Sequence, residues 1–217
     1  MDIAVARYAE RLSILIDRLA RLSRELQYRE GLNPAQWEAL RYLAKANRYS
    51  RSPGALADYL GTTKGTASQT LISLENKGYV ARTRCPGDHR QIDLTLTPFG
   101  LEMVEKDPIA VVQATAERLL AEIGVETMGA PMVQGLSRLL HDLQARNGIK
   151  QFGVCSECNL HCVDSGDAGL PSLRCGMTGD ALTTNDATLI CVDFVLPGAA
   201  KNQLASAAPP SPPPSQR

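Results

Sequence analysis

The sequence lacks any apolar run approaching the ~20 residues a helix needs to span a bilayer. Its N-terminus opens on Asp2 and an arginine-rich pattern in place of a signal-peptide core. No membrane engagement is expected, and the expected location is the cytoplasm. Aromatic residues are only 5% of the 217, which argues against a sugar-binding or base-stacking surface. The three histidines, His89, His141 and His161, are scattered. No nucleophile–base pairing, phosphate-binding glycine loop or His-Glu metalloprotease pattern accompanies them, so no catalysis is expected. Net charge is also missing, with 23 Lys and Arg against 23 Asp and Glu.

Charge is nevertheless unevenly placed. Residues 41–90 hold nine Lys and Arg against three Asp and Glu, whereas residues 151–217 hold three against six. A basic segment inside a neutral chain is either a solvated face or the footprint of a nucleic-acid partner.

Hydrophobic spacing organises the first two-thirds of the chain. Leu12, Leu15, Leu19, Leu22 and Leu26 recur at steps of three and four within residues 2–30, the pattern of a long amphipathic helix, with Gly31 after it. Asn33-Pro34 supplies an N-cap and a first-turn proline for a helix over 35–46, and Ser52-Pro53 repeats the signal for a short helix over 54–60. Thr62 or Thr63 caps a further helix running to Lys77, with Gly78 beyond its end. The period then changes to strand alternation, broken at Cys85-Pro86-Gly87-Asp88 and resumed at Ile92, Leu94 and Leu96, a β-hairpin with a basic tip. Two further helices are expected over 98–122 and 125–147.

Helix, short helix, polar-faced helix and arginine-tipped hairpin, in that order, describe a winged helix-turn-helix. Leu56-Ala57, the run Leu74-Glu75-Asn76-Lys77-Gly78-Tyr79-Val80, the hairpin Asp88-His89-Arg90, and Leu94-Thr95-Leu96-Thr97-Pro98-Phe99-Gly100 carry the detail. Over residues 10–147 the chain resembles the MarR family of regulators. It departs at His89, where the family usually has a second arginine.

The third helix packs Ala67, Leu71 and Leu74 inward, leaving Thr63, Lys64, Thr66, Ser68, Gln69 and Ser73 as the groove-facing candidates. Gln69 can make a bidentate contact to adenine, while Lys64 suits a phosphate. The resemblance implies a wing in the minor groove, with Arg90 inserted and Asp88 bracing an arginine; Arg84 is a second backbone contact. It also implies release of DNA when a small aromatic or an oxidant binds between the dimer helices and the winged lobe.

The leucine spacing of the first helix, and of Met132, Leu136, Leu139 and Leu143 in the last, leaves apolar stripes that either pack within one chain or pair two chains. MarR-like proteins dimerise through these helices, which implies a homodimer on palindromic double-stranded DNA, in the repressor sense.

Five of the six cysteines lie beyond residue 150. In a reducing compartment they point to metal ligation over disulfides. Cys155 and Cys158 form a Cys-x-x-Cys, with Cys175 and Cys191 following at wide intervals. Residues 151–197 are too few to stabilise themselves by apolar burial, and a metal would staple them. Zinc suits a closed four-sulfur site, with Cys175-Gly176 resembling half of a zinc knuckle; an iron–sulfur cluster also takes four cysteines and would make the module a sensor. Cys162 and His161 are spare or alternative ligands, and Cys85 is an oxidisable wing thiol or a small turn residue.

The expected fold is therefore mainly α with a small β-hairpin wing: a winged helix-turn-helix and helical dimerisation region over 1–148, a metal-stapled module over 149–197, and a disordered Pro/Ala/Ser-rich tail over 198–217. A thiol–disulfide oxidoreductase using Cys155 and Cys158 is the rival enzyme reading, disfavoured because no βαβ pattern precedes the pair. A protein-interaction adaptor is the third, disfavoured by the basic segment.

Overall fold

The computed structural model describes residues 2–85, 88–165 and 171–197, with only the backbone described for Cys85, 88–91, Ser165 and Pro171. The chain divides into two compact units, Met1–Gln151 and Phe152–Arg217. The expected tail, 198–217, lies outside the described residues.

In the first unit, α1 spans Ile3–Leu26, α2 Pro34–Lys45, α3 Pro53–Tyr59 and α4 Lys64–Asn76. Strands β1 (Val80–Cys85) and β2 (Asp88–Leu96) follow, then α5 (Pro98–Glu105), α6 (Ala110–Ile123) and α7 (Ala130–Arg146). Three of these helices begin at a proline after a side-chain cap, where the missing N–H costs nothing. Asn33 and Gln36 close a reciprocal capping box at α2, Ser52 caps α3 through Ala55, and Thr97 caps α5 through Gly100.

The core of the winged lobe is built from α2, α3, α4 and β2: Trp37, Leu40, Tyr42, Leu56, Leu71, Leu74 and Leu94 are fully buried. Tyr42 reconciles its hydroxyl with that burial by donating to the Ser50 carbonyl at 2.7 Å. The hairpin pairs Val80 with Leu96 and Arg84 with Ile92, and Leu94 N–H donates to the Arg51 carbonyl at 2.7 Å, tying the wing to the loop before α3.

The wing is anchored at its base by Thr97 and Gly100. Thr97 Oγ1 donates to the Gly78 carbonyl at 2.6 Å and accepts from Gly100 N–H at 3.0 Å. A Cβ on Gly100 would overlap the Tyr79 carbonyl, so the helix start closes on the strand start only with glycine here. Tyr79 and Phe99 stack across the same corner, ring centroids 4.9 Å apart.

The expected single helix over 98–122 is instead two. Pro108 lacks the N–H that a continuing helix needs, and Asp107 Oδ1 accepts from Ile109 N–H at 3.0 Å, which stabilises the break. The first helix stops at Leu26, short of the expected residue 30, with Glu30 at φ +54° in the turn that follows. Between α6 and α7, Val125–Gly129 forms a π-helical turn.

No residue of α1, α6 or α7 is buried. Leu12, Leu15, Leu19 and Leu22 are 45 to 62% exposed, and Met132, Leu136 and Leu143 are 37 to 51% exposed. The apolar stripes are therefore not covered within the one chain. No helix among the described residues is long and apolar enough to cross a membrane.

The second unit is a set of short strands. β3 (Gly153–Val154) pairs antiparallel with β7 (Ile190–Cys191), and β4 (His161–Ser165) pairs with β5 (Pro171–Cys175), which pairs in turn with β6 (Ala181–Leu182). Its buried residues among those described are only Cys155, Ala187 and Phe194. Gly153 is fixed by this packing, since a Cβ there would stand 2.5 Å from the Phe194 ring.

Candidate nucleic-acid interface and cysteine module

Helices α3 and α4 are joined by a turn of four residues, and Thr63 ends it by accepting from Thr66 N–H at 3.2 Å. Ala67, Leu71 and Leu74 face the core, as their spacing predicts. The opposite face presents Thr63, Lys64, Thr66 and Gln69 to solvent, with Ser68 half-buried beside them.

Ser73 departs from that set. Its hydroxyl accepts from Gln36 Nε2 at 2.7 Å, so it is turned toward α2 and half-buried. Lys77 reaches the same corner, donating to the Gly31 carbonyl at 2.6 Å. Gly65, Ile72 (41% exposed) and Asn76, absent from the expected set, also take outward positions. Gly65, Gln69, Ile72 and Asn76 follow one another at steps of four, three and four along the solvent face. The signal for Ile72 was its place between two inward leucines, but an isoleucine reads as core until the neighbouring helices are positioned.

On the wing, Arg84 is exposed, whereas Arg82 is half-buried with Nε 2.9 Å from Glu75 Oε2. That contact is an ion pair without hydrogen-bond alignment. It fastens the base of β1 to the end of α4. Asp88 and Arg90 lie on β2, and their side chains are outside the described residues, as are those of Cys85 and His89.

In the second unit, Cys155, Cys158, Cys162, Cys175 and Cys191 form no disulfide among the described residues. Cys155–Glu157 forms one 3₁₀ turn, closed by Cys158 N–H donating to the Cys155 carbonyl at 3.0 Å. Cys158 Sγ accepts two backbone N–H groups, from Leu160 at 3.5 Å and from Val195 at 3.4 Å. The β3–β7 ladder sets Cys191 opposite Gly153, two residues before Cys155, and Cys155 N–H extends that ladder to the Leu189 carbonyl. Cys175 lies opposite His161 in the β4–β5 pair, at the head of a turn in which Gly179 N–H donates back to the Cys175 carbonyl at 2.8 Å.

Burial pushes the Cys155 thiol up to about 11, and the neighbouring Cys191, Cys158, Cys175 and Asp186 add to the rise. The three flanking thiols are therefore within electrostatic reach of Cys155, although among the described residues no three His, Cys, Asp or Glu side chains stand as a group that could hold an ion. A thiol whose proton is held more tightly than usual is a less activated nucleophile.

A sequence profile of the MarR family matches residues 30–91. An uncharacterized HTH-type transcriptional regulator of Mycobacterium bovis is 33% identical over 115 residues, covering 52% of this chain and 78% of that protein. A counterpart from Mycobacterium leprae is 32% identical over 116 residues, covering 53% and 79%. Among solved structures, FabT of Streptococcus pneumoniae in complex with DNA superposes with a TM-score of 0.52 at 23% identity, over 65% of this chain and 98% of that one. A MarR family protein from Bacillus stearothermophilus gives 0.52 at 22%, over 67% and 99%. At those identities the structures establish the fold, and the mycobacterial relatives carry the lineage. The chain belongs to the MarR family of winged-helix transcriptional regulators.

Proposed function

We propose that this protein is a sequence-specific DNA-binding repressor that acts as a homodimer on a palindromic operator. The observation that carries the reading is the solvent face of α4, where Thr63, Lys64, Thr66 and Gln69 are exposed opposite a leucine core, together with an exposed wing arginine, Arg84. A helix of that composition fits the major groove: Gln69 offers a donor and an acceptor to an adenine edge, and Lys64 offers a charge to phosphate. The DNA-bound FabT shares the fold. Arg90 and Asp88 complete the wing in this proposal, with a guanidinium suited to the strong negative potential of a narrow minor groove.

The homodimer rests on α1, α6 and α7, whose uncovered leucines would leave a large apolar surface in water on a single chain. The occupant proposed for that surface is a second copy, because a two-fold pair brings two α4 helices to one duplex and makes the operator symmetric. Bound across a promoter, such a dimer excludes polymerase.

A finer part of the proposal is that Cys155, Cys158, Cys175 and Cys191 hold a metal, as a structural staple or as a sensor. Its support is the scant burial in the second unit, where three buried residues cannot order the described strands unaided.

Selection from randomised duplexes with the full chain tests the DNA reading. Enriched sites should be inverted repeats with half-sites about one helical turn apart; no enrichment over random sequence would overturn it.

A further inference from the structure

We infer that the outward side of α4 reads an A·T step in each half-site, with Gln69 on an adenine edge and Ile72 on the thymine methyl of the neighbouring pair. This rests on the reading of the chain as a DNA-binding dimer, and it commits that reading to one class of base sequence.

The period of the helix fixes which side chains face the groove. At about 100° per residue, the buried Ala67, Leu71 and Leu74 fall within about 60° of one another. The direction opposite to them runs through Gly65, Gln69, Ile72 and Asn76, each within about 45° of it and each exposed. Lys64, next to Gly65, is turned about 100° away from it toward the flank of the helix, where a phosphate suits its charge.

Elimination among the side chains of α4 then gives the base class. Guanine is read in the major groove by arginine or lysine on O6 and N7, and cytosine by a carboxylate on N4. Helix α4 carries no arginine, and Lys64 is its only lysine. Its only carboxylate, Glu75, is half-buried with Oε2 2.9 Å from Arg82 Nε. The hydroxyls are engaged within the chain: Thr63 Oγ1 accepts from Thr66 N–H at 3.2 Å and lies 3.0 Å from Thr66 Oγ1, Thr70 Oγ1 donates to the Thr66 carbonyl at 3.2 Å, and Ser73 Oγ accepts from Gln36 Nε2 at 2.7 Å. A serine hydroxyl such as that of Ser68 serves more than one base and selects none. The middle of the outward side therefore offers one amide, Gln69, and one branched apolar side chain, Ile72, 41% exposed. An amide pairs with adenine N6 and N7, and an apolar group packs on the thymine C5-methyl, the two chemistries that select A·T.

Spacing makes the two contacts neighbours. Gln69 and Ile72 are separated by about 4.5 Å along the helix axis, against about 3.4 Å between stacked base pairs. One turn before Gln69 stands Gly65, where a Cβ would meet only Thr63 Oγ1, at 3.8 Å. The fold has room for alanine there, and glycine disfavours a helix relative to alanine. What the bare backbone gains is close approach of a base edge, which brings Gln69 and Ile72 within reach of theirs.

The test uses the full chain and the duplex that it selects from random sequence, with a single base analogue placed in each half-site. Deoxyuridine in place of thymine deletes the C5-methyl, and 7-deazaadenine in place of adenine deletes N7. One thymine per half-site should respond with roughly 4-fold weaker binding, and the adenine of a neighbouring pair with roughly 5-fold or more. The deoxyuridine effect should vanish in Ile72→Ala and the deaza effect in Gln69→Ala, each with thermal stability unchanged. Because the analogues alter the DNA, the unsubstituted chain by itself already reads both contacts. Gln69→Arg should move the preference at its pair from A·T to G·C. A selected palindrome with G·C at these positions, or analogue effects that persist in the variants, would overturn the assignment and leave DNA recognition by a dimer standing. A chain that selects no site would overturn the DNA reading itself, and this inference with it.

Discussion

Arg41 Nη1 donates to Asp107 Oδ1 at 3.0 Å across sixty-six positions of sequence. The same guanidinium donates through Nη2 to Gln27 Oε1 at 2.8 Å, so one side chain joins the turn after α1, the middle of α2 and the break between α5 and α6. The pair is largely shielded, with side chains 23% and 11% exposed. Asp107→Ala strands the guanidinium and removes the cap on Ile109, so a loss of about 2–3 kcal/mol is expected. Denaturant unfolding followed by the single tryptophan, the fully buried Trp37, reads it directly. A double-mutant cycle with Arg41→Ala should return a coupling of about 1 kcal/mol or more; additive losses would show the contact to be incidental.

Gly100→Ala should destabilise by about 3 kcal/mol, because the added methyl meets the Tyr79 carbonyl backbone and not a movable side chain. Thr97→Ala should cost about 1 kcal/mol through the lost cap. Thermal unfolding of both variants checks the order; equal effects would mean that the corner relaxes around the methyl.

Leu19→Glu with Leu22→Glu should convert a dimer to a monomer in sedimentation at micromolar concentration, since both side chains are more than half exposed on a helix with no buried residue. The winged lobe should stay folded, as its core draws on none of α1. A double variant that remained dimeric would remove α1 from the interface.

In metal-free protein, Cys155 should be the last of the described thiols to react with iodoacetamide at neutral pH. Its folded pKa is raised from the ordinary thiol value of 9.0 to about 11, so the folded state holds its proton more tightly than the unfolded chain. The corresponding stabilisation is fully present below pH 9.0 and is lost as pH rises through about 11. Peptide mapping after timed alkylation gives the order, and early labelling of Cys155 would contradict the burial that raises it.

Much of the fold was legible because local signals repeated. Asn33-Pro34, Ser52-Pro53 and Thr97-Pro98 each mark a helix start that the structure keeps, and the change of period after Gly78 marks the hairpin. Pro108 was the signal passed over: apolar spacing runs across it, but a proline that far into a helix breaks the backbone bonding whatever the spacing says. Ser73 and Ile72 show a different limit. Both lie on α4, and which of them faces solvent depends on Gln36 of α2, a partner thirty-seven residues away. In the second unit the cysteine spacing was visible, but the pairing that sets Cys175 against His161 and sends Cys162 the other way is a matter of strand register, which wide intervals between cysteines do not encode.

Ser73→Ala and Gln69→Ala separate the two faces of α4. The first removes the Gln36 contact and should cost about 1 kcal/mol of stability with DNA preference intact; the second should leave stability unchanged and relax preference at one base pair by about 1–3 kcal/mol. The reverse assignment in competition binding would turn the helix over.

Recognition of DNA by the dimer is read by titrating a fluorescent duplex, carrying a site selected by the full chain, at a series of salt concentrations. The expected result is tight binding by a dimer whose affinity falls steeply with salt, a slope lowered by about one for each phosphate-contacting lysine removed, with Lys64→Ala as the variant. Salt-independent binding, or equal affinity for the selected and a scrambled duplex, would contradict it.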